Sequence, residues 1–439
     1  MRKRISIALL FGLLFGTTFA QNLNTAKLDS LFQILEAKDK FMGSIAVAEN
    51  GKLLYSKSIG KDDIDSDKQS TIATKYRIGS ISKIFTSCLI LKAVEENKLN
   101  INQTIDIYFP TIENAKKITI GNLLNHRSGI HNFTNDPEYL KYHTQPKSEK
   151  EMVEIIAKGK SDFEQDSKGN YSNSNYVLLS YILEKTYKKS YKEILSSKII
   201  KPLGLKNNYF GGKTNIQDNE CYSYHYASKW EKQTETDLSI PMGAGAIVSN
   251  PTDLVVFINN LFSNKIIGEK SLEQMKTIKD NFGMGLLQIP FYNKKGYGHT
   301  GGIDGFTSVV WHFPENKLSV ALTSNGMVYN NNDIIMAALS SYYGKPFDIP
   351  TFKKIELKTE DLDQYLGEYS GPDLPLKITI TKDNLKLVAQ ATGQSSFPLE
   401  ATEKDKFEFL TAGIKLEFKP GQNQMILNQG GRKFILAKK

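Results

Sequence analysis

The stretch FMGSIAVAENGKLLYSKSI, residues 41–59, decides how the chain is organised. Its two arms, residues 41–48 and 52–59, are short strand-like runs that meet at Asn50-Gly51, a dipeptide that tolerates the positive φ of a tight turn. A hairpin is therefore expected near the start of the chain. Working outward, strand pattern returns only at residues 296–301, 306–313 and 318–324, with Pro314-Glu315-Asn316 as the turn between the last two. The intervening chain is mainly helical with long loops to about Phe262. Ser80 is read as opening a helix to about Asn97, with Ile81, Ile84, Phe85, Cys88 and Leu89 on one face. Asn250-Pro251-Thr252-Asp253 marks a second helix start, where a capping side chain precedes Pro in the first turn and an acid faces the helix dipole. Strands, then helices, then strands predict an α/β (α+β) fold class: an antiparallel sheet built from both chain ends with an inserted helical lobe. A site belongs in the cleft between the two.

Helical patterning stops near Gly344-Lys345-Pro346 and Pro350. Beyond it Leu376, Ile378 and Ile380 alternate with Lys377, Thr379 and Thr381, and Ile414, Leu416 and Phe418 alternate with Lys415, Glu417 and Lys419. Period two with turns at Lys382-Asp383-Asn384, Thr392-Gly393 and Pro420-Gly421 predicts a small all-β antiparallel barrel or sandwich. The expected division is residues 1–20 as a leader, 21–345 as the chemistry-bearing domain and 346–439 as the β-domain.

The leader is read from Arg2-Lys3-Arg4 followed by an apolar run over residues 5–15 and the small residues Gly16, Thr17, Thr18 and Ala20. The run is shorter than the ~20 residues a spanning helix needs, so a cleaved signal and a periplasmic or secreted protein without an integral membrane segment are expected. Removing it takes away three cations and no acids, so the net charge of +9 falls to +6. Lysines alternate with acids and form no basic stripe interleaved with aromatics, which argues against nucleic acid as a partner. Two cysteines, Cys88 and Cys221, are too few for a disulfide scaffold, and Cys88 sits in an apolar helical pattern that suits a buried thiol. The six histidines lack the i, i+4 pairing with an acid that a metal site would show, so neither metal nor other cofactor is expected.

Chemistry concentrates in three places. Ser80-Ile81-Ser82-Lys83 puts a hydroxyl and an amine three residues apart, on one face of a helix. A lysine in a partly dry site can take the serine's proton, and the N–H groups of the helix start can stabilise an oxyanion. Tyr171-Ser172-Asn173 follows Gly169-Asn170 in a loop and precedes an apolar helix, so its polar groups can face the cleft. His299-Thr300-Gly301-Gly302 lies on a strand whose glycines allow a substrate backbone to come close. The bland alternatives are that Tyr171 anchors a loop and that Asn173 bonds local backbone. His126 is read as structural, bonding terminal carbonyls at a helix end before Ser128-Gly129. Tyr222, Tyr224, Tyr226 and Trp230 either line a pocket or cover a loop.

The segments 77–83 (RIGSISK), 171–173 (YSN) and 298–302 (GHTGG) resemble the serine β-lactamase-like family, which includes class C β-lactamases, DD-peptidases and related esterases. The resemblance runs from about Leu28 to Tyr343 and extends to residues 118–129 and 243–249. It implies Ser80 as acylated nucleophile, Lys83 and Tyr171 as proton shuttles, and Asn173 as a hydrogen-bond partner of the substrate amide. It also implies that the N–H groups of Ser80 and Gly302 form the oxyanion hole, with His299, Thr300 and Gly301 completing the substrate strand. His299 stands where many β-lactamases have Lys, a position where peptidase and esterase members more often carry His. Its charge near neutral pH is expected to be conditional and to modulate binding of a substrate carboxylate. The last segment resembles the lipocalin-like β-barrel of exported relatives. The expected function is a serine hydrolase forming an acyl-enzyme on an amide or ester. Its favoured substrates are D-amino-acid peptides, peptidoglycan-derived ones among them, or β-lactams; the alternatives are a carboxylesterase or a non-hydrolysing penicillin-binding sensor.

Overall fold

The computed structural model describes residues 23–439 apart from Ser228 and Glu356, so the expected leader lies outside the described residues. The hairpin forms from Phe41–Glu49 and Lys52–Ile59, with Asn50 at φ 49° and Gly51 at φ 78° in the turn. On its other side Phe41–Glu49 pairs antiparallel with Leu318–Met327, Ala46 opposite Ala321. Outward from there lie Phe306–Phe313, Lys294–Ile303 and Leu287–Phe291, giving a six-stranded sheet stitched from both chain ends. The outermost strand escaped the sequence reading because it contains Pro290, which an edge strand tolerates and an interior strand does not.

The two faces of the sheet differ in side-chain size, and that difference places the lobe. Ile45, Val47, Val320 and Leu322 pack under the helices Thr25–Ala37 and Asn331–Tyr342. Ala46, Ala48 and Ala321 line the opposite face, where small side chains admit the helix Pro251–Phe262 and, behind it, the lobe. That helix starts as expected, the Asn250 side chain accepting from the Asp253 N–H at 2.9 Å.

The helix expected to open at Ser80 differs at its first turn. Residues Gly79–Ile81 form a 3₁₀ turn, and the α-helix proper runs Ser82–Glu95. From Ser82 to Leu91 every residue is buried, which makes this the central rod of the lobe rather than an amphipathic surface helix. Phe85 stacks on Phe257 with ring centroids 3.6 Å apart. Cys88 belongs to this core and Cys221 to a separate cluster with Tyr76 and Phe306, and both are free thiols. Each fully buried Leu, Ile or Phe contributes about 1.5–3 kcal/mol, so a core of this extent holds the fold without a covalent staple.

Beyond Tyr342 eight antiparallel strands, from Gly367–Gly371 to Arg432–Lys438, close into a barrel through Tyr369 opposite Lys438. Tyr365, Ile380, Leu387, Leu416 and Phe418 fill its interior, separate from the other cores. It leans on the first unit through Asn330, whose Nδ2 donates to the Thr411 carbonyl at 2.8 Å. Among the described residues no helix is long and apolar enough to cross a membrane.

Candidate active site

Gly79 determines how the site is assembled. Its φ of +50° suits glycine, and a Cβ there would fall 2.7 Å from the Gly302 nitrogen. The chain before Ser80 can therefore press against the end of the Lys294–Ile303 strand, bringing the Gly302 backbone beside Ser80. Gly301 serves the protein itself, because a Cβ there would meet the Ile78 carbonyl at 2.1 Å. The expectation that both glycines clear space for substrate is corrected to Gly302, which alone of the two lines the cavity at Ser80.

Lys83 is fully buried, and its Nζ lies 3.1 Å from Ser80 Oγ, 2.8 Å from Asn173 Oδ1 and 2.9 Å from the Ala244 carbonyl. The amine sits 4.9 Å from the centroid of the Tyr171 ring. No carboxylate forms an ion pair with Lys83 among the described residues, and burial pushes its pKa well below the ordinary lysine range. Tyr171 donates its hydroxyl to Ser80 Oγ at 2.7 Å. Burial raises the phenol's pKa, partly offset by the bond to Ser80, so Tyr171 is a phenol at neutral pH. Asn173 uses Oδ1 on Lys83 and one Nδ2 hydrogen on Thr134 at 3.1 Å, leaving its second Nδ2 hydrogen for a ligand.

The remaining predicted residues divide by strand alternation. Thr300 shares the Gly302 face and is exposed, but it does not line the cavity at Ser80. His299 points the other way and is 3 % exposed, its ring 6.2 Å from that of Tyr171. Its Nδ1 donates to the Thr300 carbonyl, and burial lowers its pKa to about 4. The expected titration of His299 near neutral pH is thus overturned, since a ring this dry stays neutral.

His126 follows the end of the helix Ile120–Leu124, as expected, but its ring departs from the reading. Its ring does not bond helix-end carbonyls; it is buried 4.5 Å from the Tyr171 ring, with Nδ1 accepting from the Ser172 N–H at 3.2 Å. His126 takes the left-handed conformation, φ 59°, as does Gly129 at φ 78°. Tyr224 and Tyr226 line a cavity between sheet and barrel rather than the one at Ser80.

A cavity of about 580 Å³ opens over Ser80, walled by Phe133, Tyr139, Asn173, Gly302 and Phe306. No Lys or Arg is among the described residues that line it. Arg77 is turned away, its guanidinium buried against Glu235 at 2.6 Å and Asp304 at 3.1 Å, and it braces the loop that carries Thr236 through that backbone carbonyl at 2.8 Å. Sequence reasoning missed this brace and the Ala244 carbonyl; residues 243–249 had been singled out, but a backbone acceptor leaves no side-chain signature.

A family model described as Beta-lactamase matches residues 29–341. The chain belongs to that family. Penicillin-binding protein 4* of Bacillus subtilis is 25 % identical over 90 % of this chain and 94 % of its own length. Teichoic acid D-alanine hydrolase of Staphylococcus aureus is 29 % identical over 67 % of this chain and 72 % of its own. Among solved structures, D-amino acid amidase from Ochrobactrum anthropi aligns with a TM-score of 0.65 at 25 % identity, covering 73 % of this chain and 99 % of that one. The octameric penicillin-binding protein homologue from Pyrococcus abyssi aligns with 0.67 at 25 %, covering 94 % and 100 %. This protein is accordingly a serine hydrolase of the β-lactamase fold with an added β-barrel.

Proposed function

We propose that the protein hydrolyses D-aminoacyl amides and esters through an acyl-enzyme on Ser80. The observation that carries the reading is a fully buried Lys83 with, among the described residues, no carboxylate partner and three neutral ones. A neutral amine has two N–H groups and one lone pair. The N–H groups suit Asn173 Oδ1 and the Ala244 carbonyl, and the lone pair suits the Ser80 hydroxyl proton. Ser80 Oγ meanwhile accepts from Tyr171, so every partner is satisfied in the state ready for attack.

In the acylation step Lys83 takes the Ser80 proton as Oγ bonds to the scissile carbonyl carbon. The N–H groups of Ser80 and Gly302 hold the oxyanion. The C–N or C–O bond breaks as Tyr171 delivers a proton to the departing nitrogen or oxygen and recovers one from Lys83. Water then attacks the ester along the same route in reverse, releasing the acid and restoring Ser80. The second Nδ2 hydrogen of Asn173 holds the acyl portion.

The D-configuration is supported by relatives described as a D-amino acid amidase and a D-alanine hydrolase. Among the described residues the cavity is lined by no Lys or Arg, with His143 as its basic side chain and Asp304 as its acid, and beside the neutral His299 this lining favours substrates with no carboxylate next to the scissile bond. The leader-like residues 1–20 support a periplasmic or secreted site of action, where peptidoglycan-derived D-peptides are at hand.

The test is kcat/KM for D-alanine p-nitroanilide, its L-enantiomer, a D-Ala-D-Ala peptide and p-nitrophenyl acetate, with intact mass followed in parallel. The expected result is a D-preference of at least about tenfold, a similar margin over the carboxylate-bearing peptide, and an adduct absent from Ser80→Ala. Turnover of the acetate alone would establish a carboxylesterase, and a stable penicillin adduct without turnover would establish a sensor.

A further inference from the structure

We propose that His126 is a positioning residue, moulding the loop that presents the Tyr171 hydroxyl to Ser80. The inference rests on the reading of Tyr171 given above. His126 grips Tyr171 from both sides along the chain: its carbonyl accepts the Asn170 N–H at 2.9 Å, and its Nδ1 accepts the Ser172 N–H at 3.2 Å. Its ring forms the wall behind the phenol, centroids 4.5 Å apart, and Phe282 closes the box at 5.1 Å from His126 and 6.2 Å from Tyr171. The Asn175 amide approaches the same Nδ1 at 3.4 Å, and Asn175 is itself held by the Ser128 hydroxyl at 2.6 Å.

Two features set this ring apart from an ordinary core side chain. With Nδ1 accepting from a backbone N–H, the ring must be the neutral Nε2–H tautomer. Burial holds it in that uncharged form. A protonated ring would lose its grip on Ser172 and set a cation beside Lys83. Second, Nε2 is buried with no hydrogen-bond partner among the described residues. A purely space-filling position would be served without that cost by an apolar ring, so the Nδ1 contact to the Tyr171 loop is what the imidazole provides.

The test is single-turnover acylation by D-alanine p-nitroanilide in a cycle of His126 and Tyr171 variants. Asn tolerates a left-handed backbone and places an oxygen where Nδ1 lies, so His126→Asn should acylate within about fivefold of the parent. His126→Ala, lacking the acceptor, should acylate about a hundredfold more slowly while substrate binding changes less than about threefold. In Tyr171→Phe the further change His126→Ala should cost less than about threefold, because the effect runs through the missing hydroxyl. If His126→Ala loses cooperative melting, His126→Phe keeps a ring without the acceptor and should still fall below His126→Asn. Full activity in Tyr171→Phe, or an unreactive parent, would sink the reading of the site and this inference with it. A Tyr171-dependent enzyme indifferent to His126→Ala, or a loss undiminished in the Tyr171→Phe background, would overturn the inference alone.

Discussion

Two buried basic side chains stand three residues either side of Ser80, and the protein treats them in opposite ways. Arg77 is clasped by two carboxylates and two carbonyls, from Glu235, Asp304, Thr236 and Gly212. Lys83, buried more completely, forms hydrogen bonds among the described residues only with a hydroxyl, an amide oxygen and a carbonyl. A guanidinium cannot shed its proton, so burying one demands opposite charge. An ammonium can, and burial without a carboxylate pushes Lys83 toward the neutral amine. The comparison separates a brace from a base: pairing keeps a charge, and neutral company removes one. The same contrast explains why Arg77 shapes the loop walling the cavity while Lys83 touches the nucleophile.

Exchanging the lysine for an uncharged side chain should give the largest effect. Lys83→Met should lower kcat about 10²–10⁴-fold, the usual worth of a positioned base, while the melting temperature stays level or rises. A clear loss of stability would mean that Lys83 is a charged structural residue like Arg77. On the other side, Asp304→Asn leaves Arg77 buried with one carboxylate and should cost about 3 kcal/mol by thermal or denaturant unfolding. Thr236, whose N–H and hydroxyl both bond to Asp304, loosens with it, so KM should rise more than kcat falls. An unchanged unfolding midpoint would remove the brace from the account. The smallest effect is a flat line. With a pKa of about 4, His299 stays uncharged from pH 5.5 upward, so the kcat/KM ratio of a carboxylate-bearing to a neutral substrate should not change between pH 5.5 and 8. A ratio rising on acidification through roughly pH 6.5 would restore the conditional charge suggested by an unperturbed histidine.

Local rules explain what the sequence reveals. Asn50-Gly51, the cap at Asn250 and the alternation around Ile380 each depend on a few neighbouring residues, and each appears in the structure as expected. Ser80 and Lys83 are adjacent on one helical turn, so their meeting is legible at once. The rest depends on distance along the chain. Arg77 reaches Glu235 across 158 residues and Asp304 across 227, and nothing local marks that partnership. The burial of His299 and the seat of His126 behind Tyr171 depend on how the sheet, the lobe and the loop before residue 173 converge. His126 does follow a helix end, as expected, but neither the partner of its ring nor the dryness of His299 is local, and burial decided both.

The central claim is that Lys83 is an uncharged amine in the resting enzyme. Its direct test is a pH titration of the protein labelled with ¹³Cε-lysine, the Lys83 signal being the one missing from Lys83→Met. The account predicts one resonance titrating well below the ordinary ~10.4 of the surface lysines. A Lys83 signal that moves with the surface lysines, or that stays protonated beyond them, would contradict it.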